Sequence, residues 1–196
     1  MVDVMRIISG SARGTSLYAP KGLETRPTQD RIKESLFNIL QGKCDDASVL
    51  DLFAGSGALA FESISRGGIR AVLVDCDREA SQCIKRNIEK LKFQQQTQFI
   101  QCDWKKALKK LSEANQKFDL IFLDPPYRME ILSEICTLLE EMSLLNSEAI
   151  IVLEHKRGYV PTLNNSFELW NFRDYKDTQI HIYQYNKEDR SCLDKF

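Results

Sequence analysis

Four consecutive residues, Asp124-Pro125-Pro126-Tyr127, combine a carboxylate, a stiff backbone and an aromatic ring. They follow an apolar run, Leu120 to Leu123, of the kind that forms a buried strand. Two prolines cannot continue a sheet ladder, so the strand must end there. In an open α/β sheet the carboxyl edge is where ligands bind. Such a tip suits a planar molecule with an exocyclic amine. The Asp124 carboxylate and the Pro125 carbonyl can accept its two N–H bonds, and Tyr127 can stack on its ring. Asp-Pro alone is a common turn starter; a second motif gives it weight. Asp51, Phe53, Gly55 and Gly57 form D-x-F-x-G-x-G between a strand-like run, Ser48 to Phe53, and a helix-like run, Ala58 to Arg66. The glycines permit a tight turn and close approach of a ligand to the backbone. The turn is not a dinucleotide fingerprint, because Ala60 stands at the third glycine position. Nor is it a P-loop, because no Gly-Lys-Ser/Thr follows.

The elements that position these residues follow from periodicity. Arg70 to Asp75 reads as a second strand, ending in a carboxylate of the kind that accepts ribose hydroxyls in nucleotide sites. Cys76 beside it can line an adenine pocket or act as a small filler. A helix over Arg78 to Leu91 and a third strand, Thr97 to Gln101, come next. Asp103 can accept from an adenine amino group. Trp104 can pack on that ring, or anchor the amphipathic helix that runs to Leu111. After the Asp-Pro-Pro-Tyr strand come a helix over Ile131 to Leu145, a fifth strand over Ala149 to Leu153 and a loop from Glu154 to Gly158 that carries His155. Two alternating strands, Phe167 to Phe172 and Thr178 to Tyr185, close the pattern, with His181 in a structural place. At the front, residues 5–19 suggest a β-hairpin with Arg13 near its turn, where it could meet a phosphate. Thr28 can cap a helix over Gln29 to Leu40, which Gly42 can stop. The order predicts an α/β, Rossmann-like fold: a seven-stranded, mostly parallel sheet with one antiparallel strand and helices on both faces.

At 196 residues, 43% hydrophobic and 28% charged, the chain suits one soluble globular domain. No apolar run approaches the roughly 20 residues a membrane span needs. The start has no signal-peptide pattern, so a cytoplasmic location is expected. Six cysteines without a Cys-x-x-Cys pair, and two histidines, argue against a metal site or a disulfide framework. The net charge of −1 is uneven: residues 1–43 hold seven Lys/Arg and four Asp/Glu, so that segment is +3 and the remainder −4. A basic front on an acidic body hints at a polyanion contact.

The front carries a more specific signal. Arg6-Ile-Ile-Ser-Gly10, Arg13-Gly14, Arg26-Pro27-Thr28, Asp30-Arg31 and Glu34-Ser-Leu-Phe-Asn38, with the Asp51–Gly57 and Asp124–Tyr127 motifs, resemble the RsmD family of class I methyltransferases over about Met5 to Tyr185. The resemblance implies methyl transfer from S-adenosyl-L-methionine to the exocyclic N2 of a guanine in 16S ribosomal RNA, within the small ribosomal subunit. It implies that Asp51, Phe53, Gly55 and Gly57 surround the methionine part, that Asp75 holds the ribose hydroxyls, and that Asp103, with Trp104 adjacent, lies at the adenine. Asp124, Pro125, Pro126 and Tyr127 would hold the guanine, and Arg6, Arg13, Arg26 and Arg31 the RNA phosphates. Members often have Glu where Asp75 stands, and Ala60 replaces a frequent glycine. The domains expected are an RNA-contacting extension over 1–43, a methyltransferase domain over 44–186 and a loose tail over 187–196, in a monomer. Two rivals share part of the pattern: a DNA adenine-N6 or cytosine-N4 methyltransferase, and a non-catalytic RNA-binding assembly factor.

Overall fold

The computed structural model describes residues 5–21, 27–126 and 131–186, with residues 27–30 described by their backbone. Short apolar segments become the buried strands β1 (Ser48–Asp51), β2 (Arg70–Asp75) and β4 (Phe118–Leu123), and β5 (Leu145–Lys156) is buried over Ala149 to Leu153; β3 (Thr97–Gln101), at the sheet edge, is more polar and only half-buried. Helices α2 (Ala58–Ser65), α3 (Arg78–Leu91), α4 (Trp104–Glu113) and α5 (Leu132–Glu141) connect them; α1 (Pro27–Ile39) precedes them, and β6 (Phe167–Asp174) and β7 (Thr178–Tyr185) follow. The seven strands form one sheet in the order β3-β2-β1-β4-β5-β7-β6. β7 runs antiparallel to both its neighbours; the pairings from β3 to β5 are parallel. Strand order reverses between β1 and β4, which creates a crevice at their carboxyl ends.

Alternation along the strands separates two cores. Val49, Leu73, Leu120, Phe122, Ile150 and Val152 face α1, α2 and α3, while Leu50, Val74, Ile121, Leu123, Ile151 and Leu153 face α4 and α5. The expected fold class is the one observed. Several boundaries differ, among them the end of β1 at Asp51 rather than Phe53 and the start of β5 at Leu145 rather than Ala149. β5 extends to Lys156, because β7 pairs with it as far as Lys156↔Thr178, so Glu154 and His155 lie in a strand rather than a loop. His155 is accordingly buried, and its Nε2 is 2.7 Å from Nδ1 of His181. α5 stops at Glu141 rather than Leu145, and Ser143 there takes a positive φ of 56°. α1 begins at Pro27, where a missing N–H is harmless, so Thr28 lies inside the helix and is not its cap.

The front hairpin is a single antiparallel bridge, Arg6↔Ser16, rather than a ladder. It is fastened by side chains of the main domain. Glu62 of α2, wholly buried, accepts from the Ile8 and Ser9 amides at 2.7 and 3.0 Å and from Arg66 Nε at 2.7 Å, with Lys33 Nζ of α1 at 3.8 Å. Asn87 of α3, equally buried, accepts from the Tyr18 amide and donates to the Tyr18 and Ser56 carbonyls. Gly10, at φ 82°, has space only for hydrogen, since a Cβ would lie 1.7 Å from the Ser65 carbonyl oxygen.

Replacing Glu62 by Ala strands two amides and a half-buried guanidinium together. Glu62→Ala is expected to cost about 3–5 kcal/mol in urea unfolding. A surface change such as Lys106→Ala should stay within about 0.5 kcal/mol.

Candidate active site

Four neighbouring strands carry a carboxylate toward one edge of the sheet: Asp75 and Asp51 end β2 and β1, Asp124 follows β4, and Glu154 lies in β5 two residues before its end. By alternation Asp51, Asp75 and Glu154 belong to the face that carries α1, α2 and α3. Asp51 is buried, 3% exposed, and accepts from the Ala60 amide in the first turn of α2. Burial, and then the charge of Asp75, push its carboxyl up to about 7 against the pull of that amide. The glycine turn runs directly from β1 into α2. Gly55 and Gly57 take φ of 55° and 79°, and the Gly55 amide donates to Asp75 Oδ2 at 2.8 Å. The second oxygen of Asp75 accepts from the Asp77 amide at 2.8 Å. The turn and the β2 tip are therefore one hydrogen-bonded unit, and the α2 amides point to the edge.

β4 ends at Leu123, and Pro125 beyond it is buried. Asp124 itself is exposed, so water reaches its carboxylate. Crowding by the protein around it, then the charges of Glu154 and Asp51, still push its carboxyl well above the ordinary range. Glu154 comes next to Asp124 because Leu123 pairs with Leu153. Its own carboxyl is pushed up by burial, and Thr178 Oγ1 at 3.3 Å opposes the rise. Two carboxyl groups so placed resist ionising together.

The other expected site residues separate by position. Phe53 is half-buried, packed on the α4/α5 side, and Cys76 is exposed at the β2 tip. Asp103 caps α4, accepting from the Lys105 amide at 2.9 Å. Trp104 is 6% exposed among Leu108 and its neighbours, so the helix-anchor role is the one its packing shows. Arg6 and Arg13 are exposed on the hairpin. The turn next to Arg13 bonds to Ser65, at the end of α2 away from the edge. Arg31 is exposed on α1. Arg26 and Tyr127 lie outside the described residues, as does the tail from 187. Glu154 was not anticipated: its signal was an acidic residue closing an apolar run, which the loop reading obscured.

This arrangement has close relatives. The family described as "Conserved hypothetical protein 95" matches residues 5–184. YlbH of Bacillus subtilis is 42% identical over 181 residues, covering 92% of this chain and 98% of its own. The "Ribosomal RNA small subunit methyltransferase D" of Escherichia coli K12 is 34% identical over 191 residues, 97% of this chain and 94% of its own. The chain belongs to the RsmD family. The solved Escherichia coli protein yhhF superposes with a TM-score of 0.81 at 34% identity, over 94% of this chain and 99% of its own.

The elevated Asp51 carboxyl gives a sign-determined test. A group held protonated more tightly in the folded state supports folding below its unfolded pKa, near 4. That support is lost as pH rises toward the folded value, about 7 here. From pH 5 to 7 the wild type is therefore expected to lose on the order of 2 kcal/mol relative to Asp51→Asn, read from urea midpoints of both proteins.

Proposed function

We propose that this protein transfers a methyl group from S-adenosyl-L-methionine to the exocyclic N2 amine of a guanine in 16S ribosomal RNA. The observation that carries the reading is the placement of Asp124-Pro125-Pro126 beside the Asp51 and glycine-turn edge, in a chain of the RsmD family. The donor set fits the cofactor. Asp75 offers carboxylate oxygens at the β2 tip for ribose hydroxyls. Asp51 and the turn offer a carboxylate and close backbone for a cationic amino-acid moiety. Cys76 and Asp103 lie at the tips where an adenine ring would sit. The cofactor supplies an electrophilic methyl on a sulfonium.

The protein has to prepare the other reactant. A guanine amino nitrogen is a poor nucleophile, because its lone pair is delocalised into the ring. The Asp124 carboxylate and the Pro125 carbonyl accept the two N–H bonds, which localises the lone pair and stabilises positive charge as it builds on nitrogen. Both acceptors are held by a backbone that the two prolines stiffen, so alignment supplies the rest of the acceleration. Tyr127 stacks on the base. Once methylated, the nitrogen is strongly acidic, and Asp124 or water takes its proton. We assign phosphate contacts to Arg6, Arg13, Arg26 and Arg31, on an extension over residues 1–43 that docks on a methyltransferase domain over 44–186, and a monomeric, cytoplasmic enzyme that meets its RNA in the small ribosomal subunit.

The test is methyl transfer with labelled cofactor to unmodified small subunits, naked 16S rRNA and duplex DNA, followed by nucleoside mass analysis. N2-methylguanosine is the expected product. Methyladenine or methylcytosine in DNA would overturn the substrate, and cofactor binding without any product would favour a binding factor. Asp124→Ala should retain cofactor binding in calorimetry and lose at least about 100-fold in kcat, the usual scale for one preorganised acceptor.

Ionised Asp124 is the working form, and its carboxyl is raised. The acidic limb of kcat/KM should therefore lie above the ordinary carboxylate range. Glu154→Gln removes a neighbouring negative charge and should move that limb to lower pH. An unmoved limb would show that another group controls it.

A further inference from the structure

The outer end of the sheet carries a feature that the catalytic edge does not use. A groove of about 450 Å³ runs between α1 and β6, lined by Arg31, Glu34, Ser35, Asn38, Ile39 and Arg173. Glu34 is the one carboxylate in that lining, and among the described residues no carboxylate pairs with Arg31, Arg173 or Lys43. Arg173 donates only to its own strand, to the Asn171 side chain and the Phe172 carbonyl, so the rest of its guanidinium is open. Beside the groove β6 bulges between Leu169 and Asn171, which releases Trp170 from the ladder. Trp170 is 38% exposed, with Lys43 Nζ 5.6 Å from its ring centre. A large aromatic left at the surface with a cation over it, three residues along β6 from a guanidinium without a carboxylate partner among the described residues, is the composition of a platform for single-stranded nucleic acid.

Its place in the sheet links it to the chemistry. Arg173 pairs with Ile180, and Ile180 pairs with Glu154, the neighbour of Asp124. Arg173 is thus level with the base-holding tip, three strand spacings or roughly 14 Å away. Trp170 lies three residues, about 10 Å, further down β6. A strand whose target base sits at Asp124 can reach Arg173 within a few nucleotides and continue down the groove to Trp170.

We infer that the α1–β6 groove binds single-stranded RNA flanking the target base, with Arg173 and Arg31 on phosphates and Trp170 stacking on a base. This rests on the ribosomal RNA reading above. It adds a second contact surface, on the opposite side of the catalytic tip from the front hairpin. Base stacking and guanidinium–phosphate contacts are sequence-tolerant, so the groove supplies affinity and register rather than choice of the target.

The test compares wild type, Arg173→Ala, Trp170→Ala, their combination, and Lys106→Ala as a charge control on the other sheet face. Binding of a fluorescein-labelled 12-nucleotide single-stranded RNA is read by anisotropy over a salt series, binding of purified small ribosomal subunits by sedimentation, and cofactor binding by calorimetry. All five proteins should bind cofactor alike, which establishes that they are folded. The double variant should bind the RNA about ten-fold or more weakly, with a salt slope shallower by about 1 from the lost phosphate contact, and Lys106→Ala should stay within about two-fold. Equal RNA binding by wild type and the double variant would overturn the groove assignment alone. An equal loss in Lys106→Ala would reduce it to net charge and overturn it too. Unchanged RNA binding with weakened subunit binding would make the groove's occupant a protein and overturn the RNA assignment. Wild type that binds neither RNA nor subunits would overturn the ribosomal RNA reading, and this inference with it.

Discussion

The buried carboxylate of Glu62 is the contact on which the rest of the arrangement depends. It satisfies two amides of the front hairpin, the guanidinium of Arg66 and, at longer range, the ammonium of Lys33 on α1. Three segments far apart in sequence therefore meet on one side chain of α2. A buried charge is tolerable only when its partners are complete, and that makes the junction all-or-none. α2 also begins at the glycine turn, so the helix that holds the basic front is the one whose amides face the catalytic edge. Asn87 reinforces the link by joining Tyr18 of the hairpin to the Ser56 carbonyl in that turn. The front hairpin and the glycine turn are thus tied to the same two helices, α2 and α3.

At the edge itself the dominant physics is the burial of carboxylates close to one another. Parallel strands end together, and here β2 and β1 end in an acid, β4 ends just before one and β5 two residues after one. Burial pushes the carboxyls of Asp51, Asp124 and Glu154 up, and neighbouring carboxylates add to the rise at Asp51 and Asp124. For an enzyme acting on a cationic cofactor this matters: a positive charge placed among such groups lowers the cost of ionising them. The Gly55 amide and the Asp77 amide on Asp75 hold that carboxylate in place meanwhile.

The outer strands serve a different purpose. Antiparallel β7 lets β6 close the sheet as an exposed edge, and the described connection from β5 to β6 contains no helix. With α1 on one face only, large side chains of β6 stay at the surface: Leu169 is 51% exposed and Phe172 40%. An edge strand with such residues is a liability unless something covers it. The bulge at Trp170 breaks the flat ladder, and the flanking cations add charge. Both features discourage edge-to-edge pairing while leaving a surface fit for a polyanion.

Much of this was legible in the chain itself. Local pattern determined the central strands, because segments buried on both faces must be continuously apolar, and it determined where β4 stops, because proline cannot extend a ladder. Positive-φ turns favour glycine, so Gly55 and Gly57 marked the turn between β1 and α2. The resemblance carried by the front segments pointed to the family. What the sequence could not decide depends on partners distant along the chain. β5 reaches Lys156 only because β7 pairs with it, which turned a supposed loop into the strand that sets Glu154 beside Asp124 and buries His155 against His181. Trp104 had two roles of equal standing until packing buried it. The hairpin expected from alternation shrank to one bridge, with the Ile8 and Ser9 amides taken by a glutamate some fifty residues away rather than by the facing segment. Periodicity reports which face of an element is apolar; it carries no information about which distant carboxylate a given amide will find, and that pairing only the tertiary structure decides.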